Sequence, residues 1–273
     1  MGLRVNTNIA ALTAQRNLSS VSSRLSGNFG RLSSGLRIAT AADDAAGLGI
    51  SERMRAQVRS LNVASRNAQD GVSLAQTAEG ALQEVNNNLT RMRELAIQAS
   101  NGTLTTADRT TLDTEFQALI TEIGRVASQT TFNGVTLLDG STTGLDIQVG
   151  TNAGETITIS LADMTSTGLS IGSLDVTSDT NASSALTTID AAIGSVTSTR
   201  GALGAAQNRL GSSIASILNT RENLSAAESR IRDVDVAIET ADMTRNSILQ
   251  QAAVSVLAQA NTQPQLALSL LQG

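Results

Sequence analysis

From Ile189 to Ile238 a large aliphatic residue recurs at every seventh position: Ile189, Val196, Leu203, Leu210, Ile217, Leu224, Ile231 and Ile238. The positions three further on are small or slender: Ala192, Thr199, Ala206, Ser213, Thr220, Ala227, Val234 and Ala241. A spacing of three then four, sustained over many heptads, commits a helix to burying one narrow seam against another helix. At about 1.5 Å of rise per residue the seam predicts a rod roughly 75 Å long. A second seam pairs Leu61 with Ala64, Ala68 with Gly71, Ala75 with Ala78, Leu82 with Val85, Leu89 with Met92 and Ala96 with Ala99. Two such rods in one chain are expected to pack side by side, with Leu82, Leu89, Leu203, Leu210, Ile217 and Leu224 in the rod core. Leu112, Phe116, Leu119, Ile123 and Val126 mark a third helix, which starts at a cap-like Thr105-Thr106-Ala107-Asp108 after the break at Asn101-Gly102. The short connection makes it an antiparallel neighbour.

Between the rods the periodicity changes from helical to alternating. Leu145, Ile147 and Val149 alternate with polar residues, as do Ile157, Ile159 and Leu161, and GTNAGE between them is turn chemistry. This predicts a β-hairpin within residues 130–165. FNGVTLLDG before it is a turn followed by a short extended run. The Ser, Thr and Gly-rich stretch from Asp163 to Ser184 specifies little.

Composition narrows the chemistry. All 19 basic residues are arginine, and His, Cys, Trp and Tyr are also absent. Without them there is no imidazole base, thiolate, usual zinc ligand set, Schiff-base amine or phosphate-loop cation. The expectation is no enzyme, no metal and no cofactor. Three Phe residues cannot fill a thick interior, so closely approaching helices are expected instead. A net charge of −5 with no basic stripe argues against nucleic acid. The N-terminus lacks a signal peptide's apolar run, and Asn6 breaks the myristoylation pattern. Polar residues punctuate the C-terminal tail below membrane-spanning length.

The two ends keep helical apolar spacing yet carry unusual faces. The first acidic residue is Asp43, and residues 246–273 hold no charge. Small neutral polar groups are far cheaper to desolvate than charges, so these ends suit burial between copies of the same chain. The expected contacts are Ile9, Leu12, Leu18, Leu25 and Leu32 at the front, and Val256, Leu257, Leu266 and Leu270 at the back. The fold class expected is mainly α, with long coiled-coil-like antiparallel helices, one small β-hairpin region, and termini paired as an α-helical polymerisation domain. Its boundaries are 1–42 and 235–273 for the terminal helices, with a joint at about 33–50, and 43–234 for the rod domain.

Several apparent motifs have plainer readings. Gly168-Leu169-Ser170-Ile171-Gly172 fits a nucleophile elbow but has no histidine to serve it. DGSTTGLD from Asp139 to Asp146 begins like a calcium loop but ends on Gly150 where a bidentate Glu is required. Gly47-Leu48-Gly49 is half of a dinucleotide fingerprint without a preceding strand. Asp43 and Asp44 suit a helix cap better than acid/base work, with Thr40 and Asp43 the expected capping pair. The glycines at 35, 47 and 49 are expected to bend the joint.

VNTNIAALTAQRNL, SSGLRIATAADDAAGLGISERMRAQ, AEGALQEVNNNLTRMRELAIQASNGT, FNGVTLLDG and NLSAAESRIRDVDVAIETADMTRNSILQQAAVSVLAQANTQPQLALSLL together resemble bacterial flagellin over roughly residues 3–140 and 185–273. The resemblance implies a subunit that polymerises into the extracellular flagellar filament for swimming motility. It implies export through the flagellar type III apparatus without a cleaved signal peptide, an export chaperone on the C-terminal segment, and assembly beneath a filament cap and beyond hook-junction proteins. The terminal helices would form an inner tube and the rods a layer around it. About 45 residues separate FNGVTLLDG from the C-terminal rod, which leaves no room for outer domains. It also implies recognition by a vertebrate Toll-like receptor at Arg91, Leu95 and Glu115. A hook-filament junction protein is the nearest alternative, and a non-flagellar coiled-coil scaffold the more distant one.

Overall fold

The computed structural model describes residues 7–272, with backbone alone for 263–272. Its elements are α1 (Ile9–Ser34), α2 (Ala45–Ala99), α3 (Thr106–Gln129), β1 (Thr131–Phe132), β2 (Val135–Thr136), β3 (Gly144–Gln148), β4 (Thr156–Ser160), α4 (Asp179–Arg232) and α5 (Val236–Gln272). The chain is mainly α, as the heptads predict. It divides into two compact units, residues 57–222 and residues 1–56 with 223–273.

In the first unit every residue of the second seam from Leu61 to Ala99 is buried. Asn62 accepts from Arg221 at 2.9 Å, Gln207 donates to Glu79 at 3.0 Å, and Arg93 donates to Asp190 at 2.7 Å. Partners on α4 descend as those on α2 rise, so the two helices run antiparallel. Leu82, Leu89, Leu203 and Leu210 are fully buried and Ile217 is nearly so. A Cβ at Gly71 would stand 3.1 Å from Ile147 and 3.2 Å from Leu210, so glycine permits the close approach there.

α3 begins with the expected capping box: the Asp108 amide donates to the Thr105 hydroxyl at 3.3 Å, and the Asp108 carboxylate accepts from the Thr105 amide at 3.0 Å. Arg109 donates to the Ala99 and Asn101 carbonyls, closing the end of α2. Arg109 on α3 meets Ala99 and Glu115 meets Arg91, so α3 runs back antiparallel to α2. Phe116, Ile120, Ile123 and Ala127 enter the core that α2 and α4 share.

Two small antiparallel strand pairs complete this unit. β1 and β2 are joined by Asn133 and Gly134, whose φ angles of 49° and 80° are those of a tight hairpin turn. β3 and β4 pair Leu145 with Ile159 and Ile147 with Ile157, and the two β4 residues are buried. The Glu155 carboxylate accepts from the Asn152 amide and side chain, so the turn closes on itself. Those hydrogen bonds hold its pKa below the ordinary carboxylate value. The stretch after Leu161 is a pinned strap. Met164, Leu169, Ile171 and Val176 are buried, the Met164 amide donates to Leu138, and the Val176 amide donates to Asp113.

The C-terminal seam departs from expectation beyond Leu224. Leu224 and Ile231 are half-buried, α4 stops at Arg232, and Ile238 is 63% exposed on α5. Heptad spacing crosses the break unchanged, but the backbone does not continue the helical ladder. The Arg232 carbonyl accepts from Arg37, and the Val234 amide donates to Gly35. The Asp235 carboxylate then caps α5, accepting from Ala237 and Ile238.

The paired terminal helices and their joint as the candidate functional site

The second unit is built on α1 against α5. The Asn8 side chain accepts from the Ala11 amide at 3.1 Å, starting α1, and donates to the Ala260 carbonyl at 2.7 Å. Asn28 donates to the Glu239 carboxylate at 2.6 Å and accepts from Asn246 at 2.9 Å. Ascending positions on α1 meet descending ones on α5, so the pair is antiparallel.

Faces follow from the 3.6-residue period. On α1 Ala14 is buried, and Leu18, Val21, Leu25 and Leu32 are half-buried. Ile9 and Leu12, 57% and 52% exposed, project from the opposite side. On α5 Leu257 is half-buried and Ala260 buried. Ile238, Leu249 and Val256 are 11 and then 7 residues apart and all exposed. At ~100° per residue they form one stripe, which Ile248 flanks. The expected contact residues therefore separate into two sets: Leu18, Leu25, Leu32 and Leu257 pack within the chain, whereas Ile9, Leu12 and Val256 are open. The side chains of Leu266 and Leu270 lie outside the described residues. Exposed Phe29, Ile238, Ile248 and Leu249 belong with the open set. For Ile238 and Leu249 the signal was their 11-residue spacing across the end of the heptad run.

The joint is ordered by its own hydrogen bonds. Gly35 ends α1 with φ 71°, a left-handed residue whose amide donates to Arg31. Leu36 bridges Asp233, Arg37 donates to the Arg232 and Ile231 carbonyls, and Ile38 is buried. The expected Thr40–Asp43 pair closes its own turn rather than capping α2. The Asp43 carboxylate accepts from the Ala39 amide and from the Thr40 amide and hydroxyl. Those bonds, Thr40 foremost, lower its pKa, and Arg31 at 3.6 Å adds to the effect. The cap of α2 is Asp44, which accepts from the Gly47 amide at 2.9 Å. Of the three glycines only Gly35 bends the chain. A Cβ at Gly47 would meet Asp44 at 2.5 Å and Ile38 at 2.8 Å, whereas one at Gly49 would meet nothing.

Other singled-out residues have structural employment. Ser170, with φ 57°, sits in a turn in which Ile171 and Gly172 donate to the Ser166 carbonyl. Asp139 accepts from the Ser141 amide and hydroxyl. Arg91 donates to Glu115 and Glu94 at the surface, and both raise its pKa. Leu95, four residues on from Arg91, is only 1% exposed.

Among the described residues no helix is long and apolar enough to cross a membrane. The bacterial flagellin N-terminal helical region matches residues 5–143, and the C-terminal helical region matches residues 186–271. A flagellin of Halalkalibacterium halodurans is 50% identical over 270 residues, covering 98% of this chain and 99% of its own. That of Bacillus subtilis is 45% identical over 304 residues, covering 99% and 100%. The crystal structure of Bacillus cereus flagellin superposes with a TM-score of 0.52 at 34% identity, over 60% of this chain and 94% of that one. With both helical regions matched and the intervening stretch occupied by a hairpin and a strap, the chain belongs to the bacterial flagellin family, as a short flagellar filament subunit without outer domains.

Proposed function

We propose that the α1–α5 pair is the polymerisation element, and that it contacts neighbouring copies through the open stripes rather than through the expected contact set as a whole. On this reading Ile9 and Leu12 on α1, and Ile238, Ile248, Leu249 and Val256 on α5, meet other subunits, while Leu18, Leu25, Leu32 and Leu257 hold the pair together. The observation that carries it is the exposed apolar stripe of α5 in a segment that has no charge after Arg245. A face of large aliphatic side chains beside small neutral ones favours burial, because its neutral polar groups cost little to desolvate. A repeated contact between different faces of identical subunits does not close on itself and so extends a filament.

The remaining family traits follow from the same resemblance: export without a cleaved signal peptide, a chaperone over the uncharged C-terminal segment, and elongation beneath a cap from hook-junction proteins. A Toll-like receptor contact would have Arg91 and Glu115 as its surface groups, whereas Leu95 is buried. Purified monomer that is silent in a reporter-cell assay at high dose would remove that contact.

The test of assembly is seeded elongation followed by electron microscopy. Wild-type protein should extend seeds. Val256→Asp should not, because an unpaired carboxylate would be buried between subunits, while the melting of residues 57–222 should be unchanged. Wild-type yields from Val256→Asp would overturn the contact assignment, and failure of the wild type to elongate would overturn the polymerisation role itself.

A further inference from the structure

The interface between α1 and α5 is apolar and small along most of its length: Ala14, Leu18, Val21, Leu25 and Leu32 on one helix, Ala253, Leu257 and Ala260 on the other. Such a seam tolerates sliding, since a shift by about one turn replaces one aliphatic contact with another. Polar groups do not tolerate it. Among the described residues of this unit, Asn28, Ser51 and Glu239 are the buried polar side chains, and Asn28 is bonded at both ends of its amide to α5.

From these contacts we infer that Asn28 is the positioning residue that fixes the register of α1 on α5, with Glu239 and Asn246 as its receptors; the inference rests on the polymerisation reading above. Asn246 is seven residues beyond Glu239, so the amide of Asn28 spans two successive turns of the same face. Sliding α1 by one turn, about 5.4 Å, strands a buried carboxylate and a buried amide together, and an unpaired buried polar group is the costly outcome. A single buried Asn sets register in coiled coils by this same penalty.

Two further contacts reinforce the same register. Asn8 donates to Ala260 at the far end of the pair. Asn8 to Asn28 is 20 residues and Ala260 to Glu239 is 21, roughly 30 Å along each helix, so the two pins demand the same alignment. Arg31, one turn beyond Asn28, is 3.9 Å from Glu239 and 3.6 Å from Asp43. The pin is therefore wired to the joint that ends α1.

The chain has no cysteine, so introduced thiols report alone. Ser20 and Ser255, both exposed, become Cys for paired spin labels in the full chain. The labelled protein is assembled as a minor component of wild-type filaments, and the distance is read by pulsed electron resonance. One narrow distance is expected in the otherwise wild-type background. Asn28→Leu should shift or split it by about one turn, on the order of 5 Å. Glu239→Gln alone, which keeps an oxygen for the wild-type Asn28, should retain the single narrow distance. An unchanged narrow distance in Asn28→Leu overturns the inference even though filaments form. If Asn28→Leu is excluded from filaments, Glu239→Leu carries the same readout. Exclusion of both with Glu239→Gln admitted supports the pin, and exclusion of Glu239→Gln as well overturns it. Wild-type seeds that fail to elongate count against the polymerisation role rather than the pin.

Discussion

Gly47 and Gly49 stand two residues apart in the first turns of α2 and do different things. At Gly47 an added methyl has no room beside the Asp44 cap and the buried Ile38 side chain. Gly47→Ala should lower the thermal midpoint, by about 1–3 kcal/mol in stability, as the cap or Ile38 is displaced. Gly49→Ala meets nothing within 4 Å and should stabilise by up to about 1 kcal/mol through helix propensity. Differential scanning calorimetry on the two variants should give shifts of opposite sign, and a rise for both would mean that Gly47 has room for a methyl. Leu210 is fully buried among the residues of its core, and Leu210→Ala should cost about 2–5 kcal/mol. An unchanged midpoint would remove it from the seam. The glycine pair was visible in the sequence but its division of labour was not. Spacing names a joint, while room for a methyl depends on where Ile38 folds back.

At the level of elements, the rods were legible because a heptad repeat is a local statement about one face. Every seam position from Leu61 to Ala99 is buried, and the capping box of α3 falls on the residues that spell it. The end of α4 was not legible. Ile231 and Ile238 keep the seven-residue period, and only the competition of Arg37 and Gly35 for backbone groups at 232 and 234 ends the helix. That competition joins segments nearly two hundred residues apart in sequence. The contact residues divided for a related reason. Val256 and Leu257 are adjacent and equally apolar, yet one is open and the other packed. Leu257→Asp should therefore loosen α1 from α5 within the chain, exposing the pair to protease before assembly. Val256→Asp should leave that pair protease-resistant and fail at elongation. Limited proteolysis beside the elongation assay separates the two.

For the molecule as a whole, the missing residue types set the response to pH. With no His, Cys, Lys or Tyr, carboxylates are the only side chains of ordinary pKa below about 12. Asp43, Asp108, Asp139, Glu155 and Asp175 all have pKa values lowered by hydrogen bonds in the folded chain. A lowered folded value contributes stability that is complete above the unfolded value, about 3.9 for Asp and 4.3 for Glu, and lost as pH falls through the folded one. The thermal midpoint should be level from about pH 6 to pH 9 and fall below about pH 4. A step near neutrality would show that a carboxylate outside this group governs stability.

The turn between β3 and β4 bears on how such chains change length. Residues 151–155 are exposed, and the turn is closed by Glu155 on Asn152 and by Val149 on the Glu155 carbonyl. Nothing in the tip enters the core, so added residues at Ala153 would forfeit only local bonds, those above together with Gln148 to the Asn152 carbonyl and Thr156 to the Gly154 carbonyl. Each doubling of such a loop costs about 0.6 kcal/mol in closure entropy. Growth of the chain at this point is thus nearly free for the fold, and the hairpin tip is where a lineage could lengthen or decorate the protein without renegotiating its helices.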